Sequence, residues 1–345
     1  MGDRVRSHAV FGSKMNLPSV SVIIPTLNAA SVLEGCLESI SAQDYPKELV
    51  EVIIADGGSI DRTLEIAEKY NCRILHNKKV LAEPGVNLGL EKAKNEICFI
   101  LAADNEIVGR NWIRKMVKPF ANPEVRAAFP KQVNSPSDNW LTRYVNVFTD
   151  PFNHFVYGNA ANARTFHRVY KVIKKTKDYI VFDFTVKDHP ILALAQGFAV
   201  RKGFRRPKGM EHDDMLPIIE MIKSGQKIAY VFSVHLCHHT IRNLKHFIRK
   251  NKWAIDNALS DKNYGFSSRE KYLSKARKIK ARLWPFYAVS FIFPLLNSLR
   301  GGIIDKEKLW FYHPIVSFIV ALVAWKEFVK IKILGKGLVL RGKPS

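Results

Sequence analysis

Cysteine and acidic residues are the scarce components of this chain. Its 345 residues include four cysteines, Cys36, Cys72, Cys98 and Cys237, and no Cys-x-x-Cys pair. That excludes a disulfide framework and the paired spacing of a zinc ribbon, and it suits a reducing compartment. Cys36 and Cys98 have apolar neighbours and read as buried thiols. Asp and Glu number 31 against 54 Lys and Arg, a formal net charge of +23. An excess of that size implies an anionic partner: nucleic acid, an acidic membrane surface or a phosphorylated substrate. There is no zinc-finger spacing, aromatic-plus-basic RNA pattern or helix-turn-helix to support nucleic acid. Basic residues instead thicken toward the C-terminus, among apolar runs, which favours a membrane. Repeats and low-complexity tracts are absent. Residues 1–17 carry charge without a continuous apolar stretch, so they read as a loose arm rather than a secretory signal.

What is present is a set of apolar, β-branched runs that stop at small or acidic residues. They are Val22-Ile23-Ile24-Pro25-Thr26-Leu27-Asn28, Val52-Ile53-Ile54-Ala55-Asp56-Gly57-Gly58-Ser59, and Ile97-Cys98-Phe99-Ile100-Leu101-Ala102-Ala103-Asp104-Asn105-Glu106. Buried parallel strands read this way, and in an open α/β sheet ligands bind outside their carboxyl ends. Asn28, Asp56, Asp61, Asp104 and Glu106 are thereby expected at one site.

Helical periods separate the runs. The pattern predicts strand 19–24, helix 29–41, strand 50–55, helix 60–70 capped by Ser59 or Asp61, strand 72–76, helix 86–93 and strand 97–101. This alternation predicts an α/β, doubly wound, mostly parallel sheet. Further on, the pattern predicts helix 112–120, strand 125–131, helix 215–223 ended by Gly225, strand 227–232 and a basic helix 242–258. Residues 134–187, rich in aromatics and Asn, give no clear period.

Two apolar runs, 283–299 and 309–325, close the chain. Each reaches about 25 Å as a helix, at the lower limit for a bilayer span. Basic residues precede the first run and follow the second, which suggests a hairpin with both ends cytoplasmic. Pro285, Pro294, Asn297 and Pro314 interrupt the runs and leave an in-plane arrangement open. The organisation expected is an N-terminal arm (1–17), a catalytic-type domain (18–236), a basic helical connector (237–280) and a membrane-associated helical hairpin with a basic tail (281–345).

The stretch Ile24-Pro25-Thr26-Leu27-Asn28, followed by Ala55-Asp56-Gly57-Gly58-Ser59-Ile60-Asp61-Arg62-Thr63, resembles the family 2 glycosyltransferases, which have the GT-A fold. The resemblance extends over roughly residues 20–253. It implies that Pro25, Thr26, Asn28, Asp56, Gly58 and Asn87 line a nucleotide site. The chemistry agrees: a strand-end Asp accepts hydrogen bonds from a base or ribose, and Gly57 and Gly58 let the backbone pass close to a ligand. Val86 stands where the family often has an Arg near the diphosphate.

Asp104-Asn105-Glu106 occupies the place of the family's Asp-x-Asp. The resemblance implies Mg2+ or Mn2+, hard cations bound by one or two carboxylates plus phosphates. Asp104 is the expected ligand in either alignment of the motif. Glu106 points the same way if the segment is extended. His239, in Cys237-His238-His239, is a candidate to complete the metal shell. Glu211-His212-Asp213-Asp214 lies where inverting members carry an acidic pair, which assigns the general base to Asp214 and a supporting or capping role to Asp213. Arg249-Lys250-Asn251-Lys252-Trp253 can meet a diphosphate or lipid headgroups.

The expectation is a hexosyltransferase-type enzyme at the cytoplasmic face of a membrane. It moves a sugar from a UDP- or GDP-sugar to a lipid-linked or glycan acceptor with inversion. Ala102 and Val86, at usually polar positions, keep a non-catalytic, nucleotide- or glycan-binding relative as the alternative.

Overall fold

The computed structural model describes residues 17–206, 213–260 and 265–335. The expected N-terminal arm up to residue 16, Glu211 and His212, and the basic tail from 336 lie outside them. The first half alternates as expected: β1 (Val20–Thr26), α1 (Ala30–Ser41), β2 (Val50–Asp56), α2 (Thr63–Lys69), β3 (Arg73–His76), α3 (Ala82–Lys92) and β4 (Ile97–Leu101). All five β4 residues are buried, which is why that run is apolar without alternation. α1 buries Leu33, Cys36, Leu37 and Ile40, one helical face, against the sheet. α3 lies so close to β1 that a Cβ on Gly89 would stand 2.3 Å from Ile23 Cγ2.

Then follow β5 (Asn105–Val108), α4 (Trp112–Met116), β6 (Val125–Val133), α5 (Trp140–Phe148), α6 (Pro151–Tyr157), β7 (Val172–Lys175), β8 (Ile180–Phe182), β9 (Gln196–Arg201), α7 (Leu216–Lys223) and β10 (Lys227–His238). The sheet order is β3-β2-β1-β4-β9-β6-β10-β8-β7, with β5 pairing β10. β1 to β4 are parallel, as are β6 and β10, but β9 runs antiparallel between β4 and β6. The sheet is therefore mixed and mostly parallel, as expected, with β9 as the antiparallel insertion. Residues 134–187, silent in the sequence, hold α5, α6, β7 and β8. Asn139 caps α5 through the Leu141 and Thr142 amides, and Asp150 caps α6 through the Asn153 amide.

The chain closes with α8 (Leu244–Ser260), α9 (Gly265–Arg269), α10 (Lys275–Ser290), α11 (Ile292–Asp305) and α12 (His313–Phe328). The first apolar run is not one helix. Phe291, at φ 58°, breaks it, and α10 and α11 meet at 95°. Among the described residues no single helix is long and apolar enough to cross a membrane; the bent α10–α11 pair meets the length and composition only together. These helices are not a detached hairpin. Trp284 and Tyr287 of α10 and Val316, Val320 and Ala321 of α12 share a buried cluster with Tyr144 and Phe148 of α5 and Phe247 of α8. His313 lies at its centre, 2.7 Å from the Tyr144 hydroxyl through Nδ1 and 3.3 Å from the Tyr287 hydroxyl through Nε2. The outer surface remains apolar, with Phe286 69%, Phe293 60% and Ile303 78% exposed.

Candidate functional site

Parallel pairing of β1 with β2 puts Thr26 beside Asp56. The Thr26 hydroxyl donates to Asp56 Oδ1 at 2.9 Å. Ser59 Oγ donates to the same oxygen at 2.5 Å, and the Gly58 and Ser59 amides donate to Oδ2 at 2.8 Å each. Burial raises the Asp56 carboxyl, but these four donors outweigh it and hold its pKa below the ordinary value. Asp56 thus stays ionised and shapes the turn. Gly58, at φ 95°, lets its amide face the carboxylate.

Asn28, at φ 49°, ties the first loop to the second: its amide donates to Ser59 Oγ at 2.8 Å, and its Oδ1 accepts from the Ile60 amide at 2.9 Å. Asp61 accepts from the Ala30 amide at 3.1 Å and the Thr63 amide at 3.0 Å. Neither Ser59 nor Asp61 is the cap of α2. That helix begins at Thr63, and residue 62 occupies the cap position without a side-chain bond. Pro25 sits within β1, 3.1 Å from where a Cβ on Gly85 would lie. Asn87 is interior to α3 rather than at its start, and its Oδ1 is buried without a hydrogen-bond partner. Val86 is 1% exposed and packs in the core with Ile23 and Ile53, so that position faces inward rather than toward a diphosphate.

Asp104 lies in the turn between β4 and β5, and β4 is two strands from β2, which ends at Asp56. It does not share an extended segment with Glu106. A turn intervenes, closed by the Asn105 amide on Ala102 O at 3.0 Å and by Asn105 Oδ1, which accepts the Ala102 amide at 3.1 Å. The two acids consequently meet different histidines of the β10 end. Asp104 Oδ1 lies 3.5 Å from His238 Nε2, while Glu106 Oε2 lies 3.1 Å from His239 Nε2. His239 Nδ1 faces Asp138 Oδ1 at 2.8 Å. Burial lowers the His239 pKa, but bonds to Asp138 and Glu106 prevail and raise it. Asp104, Glu106 and His239 thus lie together, His239 meeting Glu106 through Nε2 and the Asp104 carbonyl through its amide at 3.1 Å, but both His239 ring nitrogens are engaged and the imidazole beside the Asp104 carboxylate is that of His238. The β5–β10 register pairs Glu106 with Cys237 and Asn105 with His238, and the His239 amide bond lies just beyond it, so the backbone sets Asp104 opposite His239 while the Asp104 carboxylate turns to His238.

Among the described residues no group of three or more His, Cys, Asp or Glu is arranged to hold a metal. Asp104 and His238 offer one carboxylate and one imidazole. The carboxylate suits Mn2+ or Mg2+ bound mainly through substrate phosphates and water, and the imidazole favours Mn2+ of the two. Lys250 of α8 donates to Thr240 Oγ1 at 2.5 Å, which lays the basic helix along this end of β10.

The acidic pair divides. Asp213 is 5% exposed and accepts the Met215 amide at 2.7 Å and the Leu216 amide at 3.2 Å, capping the entry to α7. Its other oxygen takes Ser268 Oγ at 2.8 Å and lies 3.6 Å from Arg269. Asp214 is more exposed and pairs with the buried Arg206. Asp214 also lines a cavity with Glu83 of α3 and Asn251 of α8. Sequence reasoning missed His238, Asp138 and Arg206 as partners. Only His238, in the quoted Cys237-His238-His239 triplet, carried a signal.

Acidic strand ends on one edge of a mostly parallel mixed sheet, with a late antiparallel strand inserted, define a GT-A-like α/β fold. Residues 21–186 match the Glycosyl transferase family 2 model, and this segment belongs to that family. Glycosyltransferase AglE of Haloferax volcanii is 37% identical over 116 residues, which are 32% of this chain and 38% of that protein. A Methanococcus voltae protein is 35% identical over 91 residues, 24% of this chain and 28% of its own. It is named a dolichyl N-acetyl-alpha-D-glucosaminyl phosphate 3-beta-D-2,3-diacetamido-2,3-dideoxy-beta-D-glucuronosyltransferase. The matched stretches thus span well under half of these relatives' lengths. Over the whole fold, the chain is similar to the mannosyltransferase PcManGT of Pyrobaculum calidifontis, solved with GDP-Man and Mn2+. The TM-score is 0.51 at 19% identity, covering 91% of this chain and 88% of that one.

Proposed function

We propose that the protein transfers a hexosyl-type sugar from a UDP- or GDP-sugar to a lipid-linked or glycan acceptor, with inversion at the anomeric carbon. The observation that carries this reading is the delivery of the Thr26–Asp56 loop and the Asp104–His238 pair to one edge of the sheet, in a segment of family 2 sequence. Pro25, Thr26, Asn28, Asp56, Gly58 and Asn87 surround the nucleoside end. Asp104, with His238, would hold Mg2+ or Mn2+, which supplies positive charge to the diphosphate leaving group. Asp214 accepts the proton of the acceptor hydroxyl. That oxygen bonds to the anomeric carbon, the bond from that carbon to the diphosphate oxygen breaks, and nucleoside diphosphate departs.

The membrane belongs to the same proposal. The exposed apolar face of α10 and α11, including Phe286, Ile292, Phe293 and Ile303, is flanked by Lys275, Lys278, Lys280 and Arg282. Apolar side chains beside cations suit an interfacial seat on anionic lipid, with the catalytic domain on the cytoplasmic side. The dolichyl phosphate in the name of the Methanococcus relative supports a lipid-linked acceptor.

The test is nucleotide binding by thermal shift, with UDP and GDP, each with Mn2+, Mg2+ or chelator. A metal-dependent rise in midpoint for one nucleotide, lost in Asp104→Ala, is the expected result. No shift with either nucleotide contradicts the reading.

A further inference from the structure

Helices α6, α8, α9, α10 and α12 contribute to the wall of a cavity of about 760 Å3. Its lining runs along α8 from Asn251 to Leu259 and along α12 from Val320 to Phe328. Each stretch covers eight residue steps, so the groove extends for about 12 Å of helix. Most of that wall is apolar, with Trp284 of α10 set into it, whereas Glu83, Asp150, Asp213 and Asp214 contribute carboxylates and Arg269 a guanidinium. The groove is continuous with two surfaces already described. It contains Asp214, the proposed base, and it includes Trp325 and Phe328, which are 44% and 41% exposed and also belong to the apolar outer surface. An apolar channel that joins a catalytic carboxylate to a membrane-seeking face suits one kind of ligand: an amphiphile with a long aliphatic chain and a polar head.

We infer that this groove receives the aliphatic chain of the lipid acceptor and presents its polar end to Asp214; the inference rests on the transferase reading above. A short soluble acceptor would leave the wall between Ala254 and Leu259 uncovered, whereas an acyl or isoprenoid chain would bury it.

Trp284 is a built-in reporter, because it lines the groove and is only 4% exposed. The probe is a long-chain alkyl phosphate with bromine at its far end, which quenches indole fluorescence at contact. It is titrated into the full-length protein below its micelle concentration. Saturable quenching is expected, reduced by about half in Trp284→Phe. Ala258→Phe on α8 and Ala324→Phe on α12 each add bulk to the groove and are expected to raise the half-saturation concentration about tenfold, with thermal midpoints recording that each variant is folded. Quenching undiminished in Trp284→Phe, or half-saturation unchanged in both filled variants, overturns the inference and leaves surface docking alone. Nucleoside diphosphate release is read separately. Turnover on a short soluble acceptor without Trp284-dependent quenching removes the groove and keeps the transferase. Trp284-dependent quenching with no turnover on any donor supports the chain site and removes the transferase.

Discussion

The Asp104 carboxylate and the His238 imidazole face one another at 3.5 Å where the turn between β4 and β5 meets the end of β10. The next pair, Glu106 with His239, is tied to Asp138. This division predicts that Asp104→Ala lowers the affinity of Mn2+-dependent nucleotide binding by at least about tenfold. Glu106→Gln, at an exposed side chain, leaves it within a factor of about three. Isothermal titration with nucleoside diphosphate and Mn2+ checks both.

The neighbouring acids Asp213 and Asp214 separate stability from activity. Asp213→Ala removes the α7 cap and leaves Arg269 buried without its carboxylate, a loss of about 3 kcal/mol or more in denaturant unfolding. Asp214→Asn keeps a hydrogen-bond partner for Arg206 and is expected to unfold near the parent midpoint. Its turnover falls by about two orders of magnitude or more. A large stability loss in Asp214→Asn with turnover intact would exchange the two roles.

Burial pushes the imidazole pKa values of His154 and His189 down to about 4 and that of His313 to about 3. They are neutral in the folded chain, and in the unfolded chain they take up protons below about pH 6.5. The unfolded state then binds more protons, so stability is fully present above that pH and is lost as pH falls toward the folded values. The slope reaches about 1.4 kcal/mol per pH unit for each histidine. Denaturant midpoints measured between about pH 7 and 5 should fall, and the fall should be shallower in His313→Asn. A flat profile contradicts the packing of α12 onto α5.

Gly89→Ala forces a methyl group into Ile23. Overpacking of this kind costs about 1–3 kcal/mol, measured as a lower unfolding midpoint, because α3 must lift from β1.

Local pattern carried the strands well and long-range contact poorly. β4 has the bounds its apolar run implies, and the β1–β2 register follows from two such runs meeting in parallel. α2 starts at Thr63 rather than Ile60 because the Ile60 amide is taken by Asn28 and Asp61 is engaged by Ala30, contacts from another loop. Residues 134–187 were unreadable for the same reason: Asn139 bonds the carbonyls of Ile241 and Arg242, and Tyr144 bonds His313. Hydropathy saw the apolar run at 283–299 but not its bend at Phe291. The turn that Asn105 closes onto Ala102 was likewise invisible to hydropathy, and past it the Asp104 carboxylate meets His238 although the Asp104 backbone bonds His239.

The central claim is sugar transfer. Its most direct measurement is release of free nucleoside diphosphate by the membrane-purified protein. UDP- and GDP-sugars are offered with a polyprenyl-linked saccharide, whose sugar hydroxyl is the nucleophile, and with Mn2+ or Mg2+, beside Asp104→Ala and Asp214→Asn. The account predicts metal-dependent release from one donor, lost in both variants. Release that is equal in the parent and both variants would contradict it.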